Sequence, residues 1–249
     1  MKGSSLFAIL AILLTAARLG NAQTLDDITF YTEEFPPLNF TQDGKLVGIA
    51  TEILEHAFKK HNTRKGVKDI IITDWNTAYN TVLKGPNKGI FAMSRTPVRE
   101  DLFKWVGPIT ASTVNVFARK DRDFKITYDG EVKNFRVAVV KNDIGHVQAK
   151  RLGVPEQNII ARRSVAENFA DLEAGRADIW IYGGLPGKFL LKNAQLTDKY
   201  EDTLTVFRTG QFIGFSLDVD DRIVEQLQDV LDEMKEEGLL DKIINRYIN

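Results

Sequence analysis

The chain of 249 residues contains no cysteine. That excludes a disulfide framework, a thiolate nucleophile, an iron–sulfur cluster and a Cys-ligated zinc. Histidine is scarce: His56, His61 and His146 are too scattered to suggest a metal cage, and no cofactor is expected. An excess of one charge sign is missing too. Thirty-three Lys+Arg against 34 Asp+Glu give a formal net charge of -1, which is no electrostatic footprint for nucleic acid. No stretch after the N-terminal segment approaches the about 20 apolar residues that a membrane-spanning helix needs. The rest is the composition of a globular protein: 43% hydrophobic, 27% charged, 18 Gly and 7 Pro.

The one pronounced apolar run, Leu6 to Leu14, follows Met1-Lys2 and precedes Thr15-Ala16-Ala17-Arg18-Leu19-Gly20-Asn21-Ala22. A basic start, a short hydrophobic stretch and small residues at a cleavage point are the three parts of a secretory signal. Gly20 and Ala22 fall at the -3 and -1 positions, so residues 1–22 are expected to be removed before Gln23. A lipid anchor at the new N-terminus would need a cysteine. The expected product is a soluble, exported, periplasmic protein. Asn39-Phe40-Thr41 has the form of a glycosylation sequon, and in such a chain it reads as a chance match.

Strands and helices alternate along the rest of the chain. Ile28–Tyr31, Asp69–Thr73 and Gly89–Met93 are short apolar or β-branched runs, the second and third with the character of buried parallel strands. Helical spacing appears at Ile49, Ile53, Leu54, Ala57 and Phe58, and again from Thr77 to Leu83. The same order returns with strands at Arg136–Val140, Asn158–Ala161 and Asp178–Tyr182 and a helix from Gly145 to Leu152. Ser164-Val165-Ala166-Glu167 has the capping-box spacing of a further helix start. The tail carries two amphipathic helices broken at Glu237-Gly238. Segments 99–119 and 203–217 read as extended. This predicts an α/β protein with two βαβ lobes joined by two crossing strands. Ligands of open α/β sheets bind outside the carboxyl ends of the strands, so the cleft between the lobes is the expected site.

Ordered blocks across the mature chain resemble the periplasmic solute-binding proteins of family 3, the polar amino-acid type. They are Phe35-Pro36-Pro37-Leu38-Asn39-Phe40, Gly44 to Ile49, Asp74-Trp75-Asn76, Ser94-Arg95-Thr96-Pro97-Val98-Arg99, Ala174 to Asp178, and the two C-terminal blocks Lys235–Gly238 and Ile243–Tyr247. The resemblance implies the two-lobed type II periplasmic-binding-protein fold. Residues 23–111 and 208–249 would form lobe I, and 112–207 lobe II. It also implies a monomer that captures a small carboxylate or amino acid and hands it to an inner-membrane ABC permease. Arg99 would supply a bidentate fork for the ligand carboxylate, Ser94 a hydroxyl, and Phe91 and Ala92 main-chain groups. Phe35 would be an aromatic wall or a core residue.

The departures from the family pattern concern the ligand's amine. The family usually places an acid just past the Asp178 strand, where this chain has Tyr182-Gly183-Gly184. Its glycine-threonine loop is Lys141-Asn142-Asp143-Ile144 here, and the acid after Gly48 is Ala50. Asp143, Glu33 or Glu34 could replace the missing acid, or the ligand could lack an α-ammonium. Tyr182 is either a ligand contact or a packing partner of Trp180. Two other functions fit the same scaffold: a sensory module with a signalling partner, and a dehydratase-like enzyme acting through Glu33, Glu34, Asp143 or His146. Otherwise His146 reads as a helix start. The segment Gly183 to Lys188 lacks both the spacing and the following Ser or Thr of a phosphate loop.

Overall fold

The structure, a computed structural model, describes residues 22–122, 124 and 126–248. The expected signal segment, apart from Ala22, lies outside them. In chain order the first half holds β1 (Thr29–Thr32), a hairpin of β2 (Phe40–Gln42) and β3 (Lys45–Val47), α1 (Ile49–Lys60), β4 (Ile71–Ile72), α2 (Trp75–Leu83) and β5 (Lys88–Ser94). The long strand β6 (Lys104–Arg119) leads to β7 (Val137–Val140), α3 (Ile144–Arg151), β8 (Ile159–Arg162), α4 (Val165–Glu173), β9 (Ile179–Gly183) and α5 (Gly184–Asn193). A second long strand, β10 (Tyr200–Phe215), returns to α6 (Asp221–Glu236) and α7 (Leu239–Ile248).

Eight strands form one sheet in the order β4-β1-β5-β10-β6-β9-β7-β8. β1 runs parallel to β4 and β5, and β7 runs parallel to β8 and β9. Between these parallel groups lie β10 and β6, antiparallel to each other over 16 residues each. β5 reaches β10 only from Gln211 to Phe215, and β9 reaches β6 only from Val114 to Ala118. In the middle, Ala111 to Thr113 pair with Arg208 to Gly210 and with no other strand among the described residues. The sheet therefore narrows to two strands between two α/β lobes.

The period of each element decides what it buries. In α6, Ile223, Leu227, Val230, Leu231 and Met234 form one apolar stripe and are all buried. Along β9, Trp180 and Tyr182 enter one core cluster while Ile179 and Ile181 enter the other, as period-two alternation requires. Ser164 caps α4 by accepting from the Glu167 N–H, and Glu167 bonds back to the Ser164 N–H.

Two readings of the sequence need correction. The run around Ile70–Ile72 is not a buried strand. β4 is a two-residue edge, and Ile71 and Ile72 are 42% and 39% exposed. α5 was not foreseen: Gly184, Pro186 and Gly187 are poor helix formers. Pro186 falls in the first turn, where its missing N–H costs nothing. Gly184 permits close approach to β6: a Cβ there would lie 2.3 Å from Thr113 Oγ1.

Candidate functional site

The carboxyl ends of β1, β5, β7 and β9 meet at the seam between the lobes. Glu33 and Phe35 follow β1, Ser94 ends β5, Asp143 follows β7, and Tyr182 is the next-to-last residue of β9. Phe35 is buried with its ring edge-on to Tyr182, centroids 5.5 Å apart. Tyr182 in turn stacks on Trp180 at 4.6 Å, the packing role foreseen for it. At Gly183, the position that lacks the expected acid, an added Cβ would lie 3.1 Å from Phe35 Cζ. A side chain there would press on Phe35 and, at 3.3 Å, on Pro186.

Arg99 is 2% exposed. Its Nη1 donates to the Ser94 carbonyl at 3.1 Å, and its Nη2 donates to the Asn142 carbonyl at 2.8 Å across the seam. The guanidinium carbon lies 5.2 Å from the ring centres of both Trp75 and Tyr79, within cation–π range. Those rings stand at i and i+4 on α2, one face of a helix. Trp75 Nε1 also donates to the Asn142 carbonyl, at 2.9 Å. One carbonyl thus ties two side chains of the first lobe to the second. The Asn142 amide donates to Asn76 Oδ1, and Arg163 sits 3.5 Å from Asp74. Asn142 adopts φ 62, a left-handed conformation that asparagine tolerates.

The remaining expected residues divide. Ser94 is buried, and its hydroxyl lies 3.4 Å from Gln211 Nε2. Phe91 packs in the core. Ala92 has φ 57 and no partner in the β5–β10 register, where Phe212 pairs with Met93 and Ile213 with Phe91. Such a bulge turns a residue's peptide groups out of the ladder. Asp143 caps α3: its Oδ1 accepts from the Ile144 N–H at 2.6 Å, and its Oδ2 has no partner among the described residues.

Two acids face this seam. Burial pushes the Asp143 carboxyl above its ordinary value, against the pull of Arg99 and the α3 N–H groups. Glu33 is raised further, first by burial and then by the nearby Asp143 charge, with Arg99 opposing. Tyr182 is raised well above its usual range by burial and by the same two acids, and its hydroxyl has no partner among the described residues. Glu33 opens onto a groove of about 1090 Å³ whose walls include Asp74, Val140, Arg163, Phe189 and Tyr247. Arg99 instead borders a separate cavity of about 280 Å³.

A family model for bacterial extracellular solute-binding proteins, family 3, matches residues 28–249. The chain belongs to this family. Among curated relatives of this solute-binding family it is similar to the probable amino-acid-binding protein YxeM of Bacillus subtilis, 21% identical over all of this chain and 96% of that one. Among solved structures it is similar to an uptake-transporter binding protein from Streptococcus pneumoniae with bound histidine. The TM-score is 0.77 at 15% identity, over 89% of this chain and 92% of that one. It is also similar to a histidine kinase sensor domain resembling periplasmic binding proteins, with a TM-score of 0.78 at 16% identity over 89% and 96% of the two chains. These structures share the type II binding-protein fold with it. None of the described helices is long and apolar enough to cross a membrane.

Sequence reasoning named Arg99, Asp143 and Glu33 but missed the pair Trp75 and Tyr79 that flanks the arginine. The i, i+4 aromatic spacing after Asp74 was the available signal. It missed Asn142 as well, where an asparagine in a glycine-like position marks a carbonyl turned out of the usual direction.

Proposed function

We propose that this family member is a periplasmic binding protein that closes on an amino acid or a close derivative. The observation that carries this reading is the convergence of Arg99, Glu33, Asp143 and Tyr182 on one seam from both lobes. Arg99 is a planar donor for a carboxylate, released from the Asn142 carbonyl as the lobes part. Glu33 and Asp143 supply the acids that Gly183 does not, so the ligand's ammonium would lie between them. An ammonium there offsets the cost of ionising the half-buried Glu33 and the buried Asp143 near one another. Phe35 packs against the ligand's carbon skeleton.

Residues 23–111 with 208–249 act as lobe I and 112–207 as lobe II, with the hinge in β6 and β10. The two-stranded stretch at 111–113 and 208–210 supports that division. The closed form is then delivered to an inner-membrane ABC permease. The likeness to a kinase sensor domain concerns the fold alone and does not favour a signalling partner. Binding without turnover is the reading adopted. Product formation from a small cyclic carboxylic acid such as prephenate would replace it with the dehydratase alternative.

A thermal-shift screen of amino acids, amine-free carboxylates and small amines tests the assignment, because a ligand stabilises the state it binds. Amino acids are expected to raise Tm, and Arg99→Ala is expected to abolish that shift. A shift of equal size in Arg99→Ala, or hits confined to amine-free acids, would refute the assignment.

A further inference from the structure

The groove that Glu33 faces is walled by both lobes: Phe40, Ile72 and Tyr247 from the first, and Val165, Phe189 and Leu190 from the second. At about 1090 Å³ it is roomier than the pockets of about 300–1,000 Å³ that enclose drug-sized ligands. We propose that this groove receives the side chain of the bound solute, and that this side chain is large and apolar, an aromatic ring above all. The inference rests on the amino-acid reading above and adds to it the class of amino acid.

The apolar side chains on the walls are the main support. Phe40, Val165, Phe189, Leu190 and Tyr247 are all half-buried, and Ile72 is 39% exposed. Apolar surface is thus left open to water on both sides of one groove, and covering it is favourable. Three elements bring the rings together: β2 carries Phe40, α5 Phe189 and α7 Tyr247. The centre of the Phe40 ring lies 5.7 Å from that of Phe189 across the seam, and 6.2 Å from that of Tyr247, to which it stands edge-on. A further ring can join such a group edge-on or offset.

The charged residues on the walls point the same way. Glu34 accepts from the Thr41 N–H and hydroxyl. Asp74 accepts from Thr77 at the start of α2 and pairs with Arg163. Arg246 bonds to Glu52, and the Tyr247 hydroxyl donates to the same carboxylate at 2.7 Å. Glu34, Asp74, Arg163 and Arg246 are therefore each engaged within the protein. A charged side chain entering the groove would give up water without meeting a free counter-charge. Glu33 remains, and the proposed site uses it for the solute's ammonium. The solute would run from its carboxylate at Arg99, past its ammonium at Asp143 and Glu33, into the groove. A side chain that touches Phe40 on one lobe and Phe189 on the other favours the closed state.

Calorimetry on the full chain with alanine, phenylalanine, tryptophan, lysine and glutamate tests the proposal. Phenylalanine or tryptophan is expected to bind at least about tenfold more tightly than alanine, from the apolar area that the ring covers. Phe189→Ala should cut that ratio several-fold. Phe189→Leu keeps an apolar contact with Phe40 and should lower the ratio less, which separates lost recognition from lost folding. Phe189→Glu places a free acid on the wall and should favour lysine over phenylalanine. Equal affinities for alanine and phenylalanine, tightest binding of lysine or glutamate by the parent, or a ratio unchanged in Phe189→Ala overturns the proposal and leaves the amino-acid reading in place. If no amino acid binds, 3-phenylpropionate and phenethylamine separate the two. Binding of either one that weakens in Phe189→Ala keeps the groove's role and refutes the amino-acid reading. Binding of neither overturns both.

Discussion

Glu33 shows how one residue can set the pH response of a cleft. Its carboxyl, like that of Asp143, holds its proton to a higher pH in the folded chain than in an unfolded one. The folded state therefore binds more protons, and the contribution of this pair to stability falls as pH rises. The loss begins near the unfolded value, about pH 4, and is complete once both acids are ionised. Glu33→Gln removes one member and relieves the other. Its stability should match the parent's near pH 4 and exceed it increasingly toward neutral pH. Urea unfolding from pH 4 to 8 reads this directly, and a variant destabilised equally at every pH would contradict it. The same substitution should shrink the thermal shift given by an amino acid, because the ammonium loses half of its counter-charge. A gain in stability joined to a loss of binding distinguishes an acid kept for ligand from one kept for packing. Arg99 is the complementary case: burial disfavours its charge, yet an arginine stays protonated in proteins, so its cost is met by carbonyls and rings in the structure and by a carboxylate when one is bound.

At the scale of elements, α3 is the piece that fixes the second lobe's half of the site. Its N-terminus presents Asp143, and its first turn carries His146. Gly145 lets that turn rest on β9, where an added Cβ would lie 2.1 Å from the Ile181 carbonyl oxygen. The obstacle is backbone and cannot rotate away. Gly145→Ala should therefore cost about 1–3 kcal/mol, the range for overpacking, and should weaken ligand binding by shifting Asp143. Denaturant unfolding with an unchanged m-value would report it, and a neutral result would show that α3 has slack on the sheet. Elements with a clear period were legible from sequence: the capping box of α4, the stripe of α6, the break at Gly238 and the two long extended segments. β4 was not, because apolar residues at a sheet edge read the same as in a buried strand. α5 was not, because glycines that serve close packing on β6 look like loop residues. In the candidate site, Arg99 stood out by motif, and Asp143 as one possible replacement for an acid the family pattern lacks here. The carbonyl of Asn142 could not, since the direction of a main-chain group depends on a left-handed φ that no residue pattern specifies uniquely.

The molecule as a whole is two lobes held by a two-stranded neck and by contacts that cross the seam. Some of those contacts involve groups proposed for the ligand, such as Arg99 on the Asn142 carbonyl. Others do not: Asp74 with Arg163, and Asn76 with Asn142. If the second set holds the lobes together before a ligand arrives, weakening it should open the free protein while leaving the site intact. Asp74→Asn removes the charge but keeps an N-cap residue on α2, and Asn76→Ala removes the amide link. An exposed ion pair contributes about 0.2–1 kcal/mol and a neutral hydrogen bond about 0.5–1.5 kcal/mol. The double variant should therefore shift the open–closed balance by about tenfold. Small-angle scattering should show a larger radius of gyration for the ligand-free variant and the parent's value once ligand is added. A ligand that binds the closed form loses apparent affinity in proportion to the closed population, so affinity should fall by the same factor as the population. Equal radii and equal affinities would mean that these contacts only follow closure. A larger radius with unchanged affinity would mean that the ligand binds one lobe first and gains nothing from the second, in which case Asp143 could not be the acid that completes the site.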